Sequence, residues 1–368
     1  MWPLHYYFLV GLVVWLCVRR ANASREEAEE VAFGAGRGCS SPKKLRSAWP
    51  LGLDLILNAF RAAKQGYILQ FFDALVSRTG GTFEQRLLGA SGIDTIDPEN
   101  VEAILSTQFK EFGLGVRRAT FFPLLGDGIF TQDGRAWKHS RELLRPQFTA
   151  NRAENFAQIQ EAVENLVSLI PEGRPVDLQP LFFRFTLDTT TFLLFGESIG
   201  SLHPKSAELT ASKESDFAEA FTVAQDYLAQ RGRLGDLYWL IGGPRFWKAC
   251  NTVHTFVDSM VRERLQDSEL ERSSGKYVFL DALLEQTRDV FTLRSQLLNV
   301  LLAGRDTTAC CLSWAFRLLS RHPDVLAKLR AEIDHEVGSD PPQHNDIKRM
   351  TYLSHVLKEC SAFILLSQ

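Results

Sequence analysis

No two cysteines in this sequence are spaced as C-x-x-C. The six of them, Cys17, Cys39, Cys250, Cys310, Cys311 and Cys360, are scattered along 368 residues. That pattern excludes a disulfide framework and a zinc knuckle, and it fits reduced thiols facing a cytosol. A basic surface is also missing. Net charge is -3, which argues against nucleic acid as a partner. Methionine is scarce, with three residues, and there is no internal repeat or low-complexity tract. Phenylalanine is abundant instead, with 26 residues. So many large apolar rings suit a greasy interior or an apolar ligand pocket, and composition does not separate the two. Apolar and charged contents of 45% and 23% are those of a globular protein.

One long apolar run stands at the start. MWPLHYYFLVGLVVWLCV is apolar almost throughout from Trp2 to Val18 and is followed by Arg19-Arg20. Its length matches the short end of a membrane-spanning helix. A cleaved signal peptide begins with basic residues. Here the start is not basic, Trp and Tyr lie near the ends, and the positive charges follow the run. These features predict an uncleaved single-pass anchor over 1–20, with the rest of the chain on the cytosolic side. Residues 21–50 are rich in Gly, Ser, Pro and basic residues and read as a linker. The GAGRG within them has no strand before it and is not taken as a phosphate loop.

Residues 51–368 read as one large domain, mainly α with a small β-sheet element. LDLILNAFRAAKQGYILQFFDALVSRTGG carries apolar residues at helical spacing and stops at Gly80-Gly81. TFEQRLLG and GIDTIDP predict two short strands joined by a turn. Asp97-Pro98 opens a helix. GLGVRRATFFPLLGDGIFTQDG reads as a loop, and RAWKHSRELLRPQF as a helix ending at Pro146. Helices follow in NRAENFAQIQEAVENLVSLI, in LQPLFFRFTLDTTTFLLFG, over 215–231, over 245–267, from about Phe291 to His322, from Pro323, and from Thr351. PPQHNDIKRM reads as a loop.

The long helix holds the most informative stretch, LLAGRDTTACCLSWAF, from Leu301 to Phe316. A glycine, two charges and two hydroxyls interrupt an apolar run. Thr307 can hydrogen-bond back to the Ala303 carbonyl four residues earlier, and Gly304 allows close approach of another group. A local helix distortion is expected there. Asp306 beside Thr307 could form a proton-delivery pair. The plainer reading puts Arg305 and Asp306 on a solvated face and uses the threonines as filling.

Ala303-Gly304-Arg305-Asp306-Thr307-Thr308 resembles the A-G-x-D/E-T-T signature of the haem-thiolate monooxygenases, the cytochrome P-450 superfamily. Trp137-x-x-x-Arg141 resembles that family's W-x-x-x-R helix. STQFKEFGLG, GDGIFTQDG, LFFRFTLDTTTFLLFGESIGSL, QRGRLGDLYWL and YVFLDALLEQTRD are similar to its fungal membrane-bound alkane and fatty-acid hydroxylases. The resemblance implies a cytochrome P-450 fold and a haem cofactor. It also implies an NADPH-dependent reductase as partner, an endoplasmic-reticulum membrane location, and insertion of one oxygen atom of O2 into a long apolar substrate. It places Trp137 and Arg141 at the haem propionates and Ala303 and Gly304 above the iron. Asp306 and Thr307 become the acid and alcohol that help deliver protons to dioxygen. The i, i+4 spacing of Trp137 and Arg141 agrees, since an indole N–H and a guanidinium on one helix face both suit carboxylates.

The family's F-x-x-G-x-R-x-C-x-G loop, which supplies the axial thiolate, does not occur in the 368 residues. Phe33-Gly34-Ala35-Gly36-Arg37-Gly38-Cys39 only imitates it, inside the linker. TYLSHVLKE matches the helix that bears E-x-x-R, but position 362 is Ala. The expectation is therefore a fold that lacks its C-terminal haem-ligand region, with no protein metal ligand assigned and no thiolate complex formed. Two functions follow as alternatives: a monooxygenase by descent, expected to be inactive as the 368 residues stand, or a non-catalytic, membrane-tethered helical remnant that does not bind haem.

Overall fold

The computed structural model describes residues 41–149, 156–202, 213–266 and 278–367, with scattered positions between 14 and 39. The expected anchor falls almost wholly outside them. Among the described residues no helix is long and apolar enough to cross a membrane. The chain divides into two compact units, 1–109 and 110–367.

The first unit holds a three-stranded sheet in the order β1-β2-β3. Strand β1 (Lys43–Lys44) lies within the expected linker and pairs in parallel with β2 (Thr82–Leu87). Strand β3 (Ala90–Thr95) runs antiparallel to β2, with Leu87 opposite Ala90. Leu88 and Gly89 turn the hairpin with φ of 53° and 90°. Both values lie in the left-handed region, and such a two-residue turn matches the strands' twist. The predicted hairpin is thus present. The predicted single helix before it is two, α1 (Leu53–Gln65) and α2 (Ile68–Thr79). Gly66 separates them at φ 77° and donates its N–H to the last carbonyls of α1, which ends the helix. Asp97 caps α3 (Pro98–Glu102) by accepting from the Glu99 N–H at 3.1 Å.

The second unit is helical. Its elements are α4 (Arg117–Leu125), α5 (Gly134–Thr149), α6 (Phe156–Ser168), α7 (Leu178–Phe195), α8 (Lys213–Arg233), α9 (Pro244–Gln266) and α10 (Phe279–Leu284). They are followed by α11 (Val290–Leu319), α12 (Pro323–Glu336), α13 (His344–Arg349) and α14 (Thr351–Ser367). The 30-residue α11 is about 45 Å long and runs through the unit, packed by α7, α9, α4 and α14. Leu293, Leu297 and Leu301 recur every four residues on its buried stripe. Around them lie Phe217, Phe221, Phe246, Val253 and Leu283, all fully enclosed. Asp289 starts the helix by accepting from the Thr292 N–H at 2.9 Å and from its hydroxyl at 2.6 Å. Those bonds hold its carboxyl below the ordinary Asp value.

Three elements of the second unit differ from their sequence reading. Helix α4 occupies the expected loop although Pro123 sits inside it. A proline there leaves the Ala119 carbonyl without its usual donor. Buried Arg231 of α8 supplies one instead, reaching the Ala119 and Thr120 carbonyls at 3.3 and 3.0 Å. A third bond, at 2.8 Å, goes to the Ile241 carbonyl. Helix α5 continues past Pro146, where Glu142 and Pro146 are both exposed and water can replace the lost bond. Helix α13 forms within PPQHNDIKRM because Gln343 and Asp346 make a reciprocal capping box.

Candidate functional site

Helix α11 carries the candidate residues at its middle. The turn from Ala303 to Thr308 is regular α-helix, so the expected distortion is absent. The Thr307 hydroxyl donates to the Ala303 carbonyl at 2.7 Å, a bond that adds to the helical pattern without breaking it. Ala303 is half-buried and Thr307 exposed, and the i, i+4 spacing sets them on one face.

Gly304 points elsewhere. A Cβ added there would lie 3.0 Å from the Thr190 Oγ1 and 3.1 Å from its Cγ2. The missing side chain lets α7 and α11 cross closely, so the residue serves a helix contact.

Arg305 and Asp306 do not form a solvated pair. Arg305 is buried, 7% exposed, and its guanidinium lies over the Phe183 and Phe221 rings at 5.4 and 5.5 Å. Its Nη1 donates to the Gln225 Oε1 at 2.6 Å and its Nη2 to the Thr222 Oγ1 at 2.9 Å. Asp306 is half-buried. Its Oδ2 accepts from the Gln225 Nε2 at 2.6 Å, while its Oδ1 lies 3.6 Å from Arg305 and is buried without a hydrogen-bond partner. Burial raises the Asp306 carboxyl above the ordinary Asp value, helped by the charge of Asp226. The Arg305 charge and the Gln225 bond oppose the shift without cancelling it. An acid raised in this way sits closer to the pH where it can both give and take a proton.

Helix α5 brings the other candidates together. The Arg141 guanidinium lies 5.4 Å over the ring of half-buried Trp137. Among the described residues no carboxylate pairs with Arg141. Between them in sequence, the Ser140 hydroxyl accepts from the Gln296 Nε2 of α11 at 2.8 Å and donates to the Gln132 Oε1 at 2.7 Å. This ties α5 to α11 ten residues before Asp306, about 15 Å along the axis. The Arg141 guanidinium, beside the Trp137 indole on one helix face, suits the acid groups of a cofactor, and the exposed Thr307 hydroxyl suits a polar ligand atom.

Sequence reading assigned no role to Arg305 and did not single out Thr222 or Gln225. Their signal was present but faint: a polar pair at i, i+3 in FTVAQDYLAQR, and an arginine inside an apolar helix. The cysteines offer no comparable group. Among the described residues Cys39, Cys250, Cys311 and Cys360 form no disulfide, and burial pushes the Cys250 thiol up to about 12.

The helical arrangement is shared with solved haem proteins. A crystal structure of the cytochrome P450DA heme domain superposes with a TM-score of 0.69 at 22% identity, covering 87% of this chain and 69% of that one. The fold shared with it is mainly helical with a small sheet. The family model for cytochrome P450 matches residues 48–360, and the chain belongs to that family. A cytochrome P450 of Arthroderma benhamiae is 52% identical over 95% of this chain and 68% of its own length. Cytochrome P450 52A5 of Candida maltosa is 42% identical over 88% of this chain and 65% of its own. The chain thus spans about two thirds of the length of the curated relatives it matches.

Proposed function

We propose that the chain is a haem-dependent monooxygenase by descent. It would insert one oxygen atom of O2 into long apolar substrates, such as alkanes or fatty acids, with electrons from an NADPH-dependent reductase. Its anchor (1–20), linker (21–50) and haem domain (51–368) would place it on the endoplasmic-reticulum membrane with the domain in the cytosol. Family membership and the likeness to fungal 52A relatives support this reading. The observation that carries it is the pairing, on one helix, of an acid raised by burial with an exposed hydroxyl one residue later.

When bound, haem supplies the oxygen activation and electron transfer. The chain's own residues do the rest. Trp137 and Arg141 would hold the propionates from one helix face, the guanidinium offering bidentate bonds and the indole a single donor. Thr307 keeps its hydroxyl fixed by the Ala303 carbonyl, ready to accept a bond on its free lone pair. Asp306 exchanges a proton, its acidity set by burial on one side and Arg305 on the other. The resemblance implies a cysteine thiolate as the iron's protein ligand, and no residue of this chain is assigned that role.

Haem titration of the purified chain, followed by Soret absorbance, tests the first step. One haem per chain is expected, weakened about tenfold by Arg141→Met through loss of a charge-assisted pair. In the carbon-monoxide difference spectrum, a red-shifted band would assign the axial ligand to one of the chain's own cysteines. With reductase, NADPH and labelled O2, one labelled oxygen atom in an alkane or fatty-acid product completes the test. Absence of haem binding overturns the reading in favour of the non-catalytic remnant.

A further inference from the structure

Gln225 reaches from α8 into the middle of α11 and touches both members of the charged pair there. Its carbonyl accepts from the Arg305 Nη1 at 2.6 Å, and its amide nitrogen donates to the Asp306 Oδ2 at 2.6 Å. These two contacts fix the amide in one orientation. Turned over, it would set oxygen against carboxylate and N–H against guanidinium, and both contacts would become repulsive. One turn away on the same helix, Thr222 fixes the Arg305 fork from its other nitrogen at 2.9 Å. The rings of Phe183 and Phe221 enclose the guanidinium.

The consequence falls on Asp306. One of its oxygens is filled by the Gln225 donor, and the other is buried and has no hydrogen-bond partner. The two oxygens of a free carboxylate are equivalent; these are not. A proton taken up by Asp306 goes to Oδ1, because Oδ2 is already an acceptor. We infer that Gln225 is a positioning residue for the proton-exchanging acid of the site, orienting Asp306 so that Oδ1 carries the proton and tying its acidity to the seat of α8. The inference deepens the proposed function and rests on Asp306 having that role. The charged groups that face Asp306 are Arg305 on its own helix and Asp226 on α8, and no other titratable group among the described residues enters its environment. Gln225 adds the one neutral donor. It favours the charged carboxylate, whereas burial and Asp226 favour the neutral acid.

The test reads the acid itself and needs no haem. The Asp306 carboxyl is titrated in the full chain by carbon-13 NMR after labelling of aspartate side chains, its signal assigned by loss in Asp306→Asn. Gln225→Met keeps the side-chain length and removes both polar contacts. Gln225→Glu keeps an acceptor for Arg305 and removes the donor to Asp306. A positioning role raises the Asp306 titration midpoint in both variants, by about one pH unit in Gln225→Met and by more in Gln225→Glu. Gln225→Glu also adds a charge that raises the midpoint by itself, so Gln225→Met decides: a midpoint at the parent value in that variant, when its circular dichroism matches the parent, would overturn the inference. Because the midpoint is measured without cofactor, a failure to bind haem defeats the proposed function while leaving this result standing. An unmoved midpoint in a chain that does bind haem defeats the inference alone.

Discussion

Two polar clusters stand on α11, Asn299 and Asp306 lying seven residues, or about 10 Å, apart. They are built to different standards. At the first, Asn299 is fully buried and accepts from the Phe130 N–H at 3.0 Å. Its Nδ2 donates to the carbonyls of Leu125 and Ser295 at 3.1 and 2.7 Å. Gly128 makes the approach possible, since a Cβ there would collide with the Asn299 amide. The cluster is neutral, and all of the Asn299 polar atoms are used. At the second, the groups are charged, and the Arg305 Nε and Asp306 Oδ1 are buried without partners. A neutral, satisfied network lowers the energy of one structure. A charged one with an orphan oxygen costs stability and keeps a proton exchangeable. Position on the same helix does not distinguish them; the pairing of their atoms does.

Asn299→Leu gives the largest expected effect. It strands the Phe130 N–H and the Leu125 carbonyl in the interior, lowering unfolding free energy by about 3 kcal/mol in urea melts. A loss below about 1 kcal/mol would erase the contrast. Asp306→Asn should act the other way round. Product formation by the haem-loaded, reductase-supplied protein falls about 100-fold while the fold persists, because general acid–base transfer is worth at least that much. Gly304→Val comes next. Its Cβ would press on Thr190 of α7, and overpacking there costs about 2 kcal/mol in the same melts.

Asp289→Ala removes the cap of α11 and should cost about 1 kcal/mol at neutral pH. Its folded carboxyl is held below the ordinary Asp value. The cap therefore contributes fully above the unfolded value and fades as pH falls through the folded one. Asp306 has the opposite sign. Its folded value is raised, so the folded chain binds more protons than the unfolded chain between the two. Wild-type stability relative to Asp306→Asn should then fall as pH rises from about 4 toward neutrality. Melts of both variants across that range check both slopes. Parallel slopes would show that the two carboxylates do not differ as described.

Much of this was legible before the fold. The helix start at Asp97-Pro98, the strand pair around Leu88-Gly89, and the start of α12 at Pro323 all rest on neighbours within a few residues. Local chemistry is enough to settle such features. Helix α4 was not legible, because Pro123 reads as a breaker. The guanidinium that replaces its lost bond comes from Arg231, more than a hundred residues on. The split at Gly66 and the short α13 were missed for a smaller reason: one glycine conformation and one capping box decide them.

The same division holds at the site. By itself the sequence determined the family, the long helix and the presence of acid and hydroxyl at Asp306 and Thr307, since ordered motifs and helical spacing are properties of the chain. Only the tertiary structure decided that Gly304 faces Thr190, that Arg305 is buried, and that one Asp306 oxygen is taken while the other is left. Those facts depend on which side chains α7 and α8 bring to α11. A residue's acidity and burial are set by neighbours in space, and the partners that decide them here lie some eighty residues or more away along the chain.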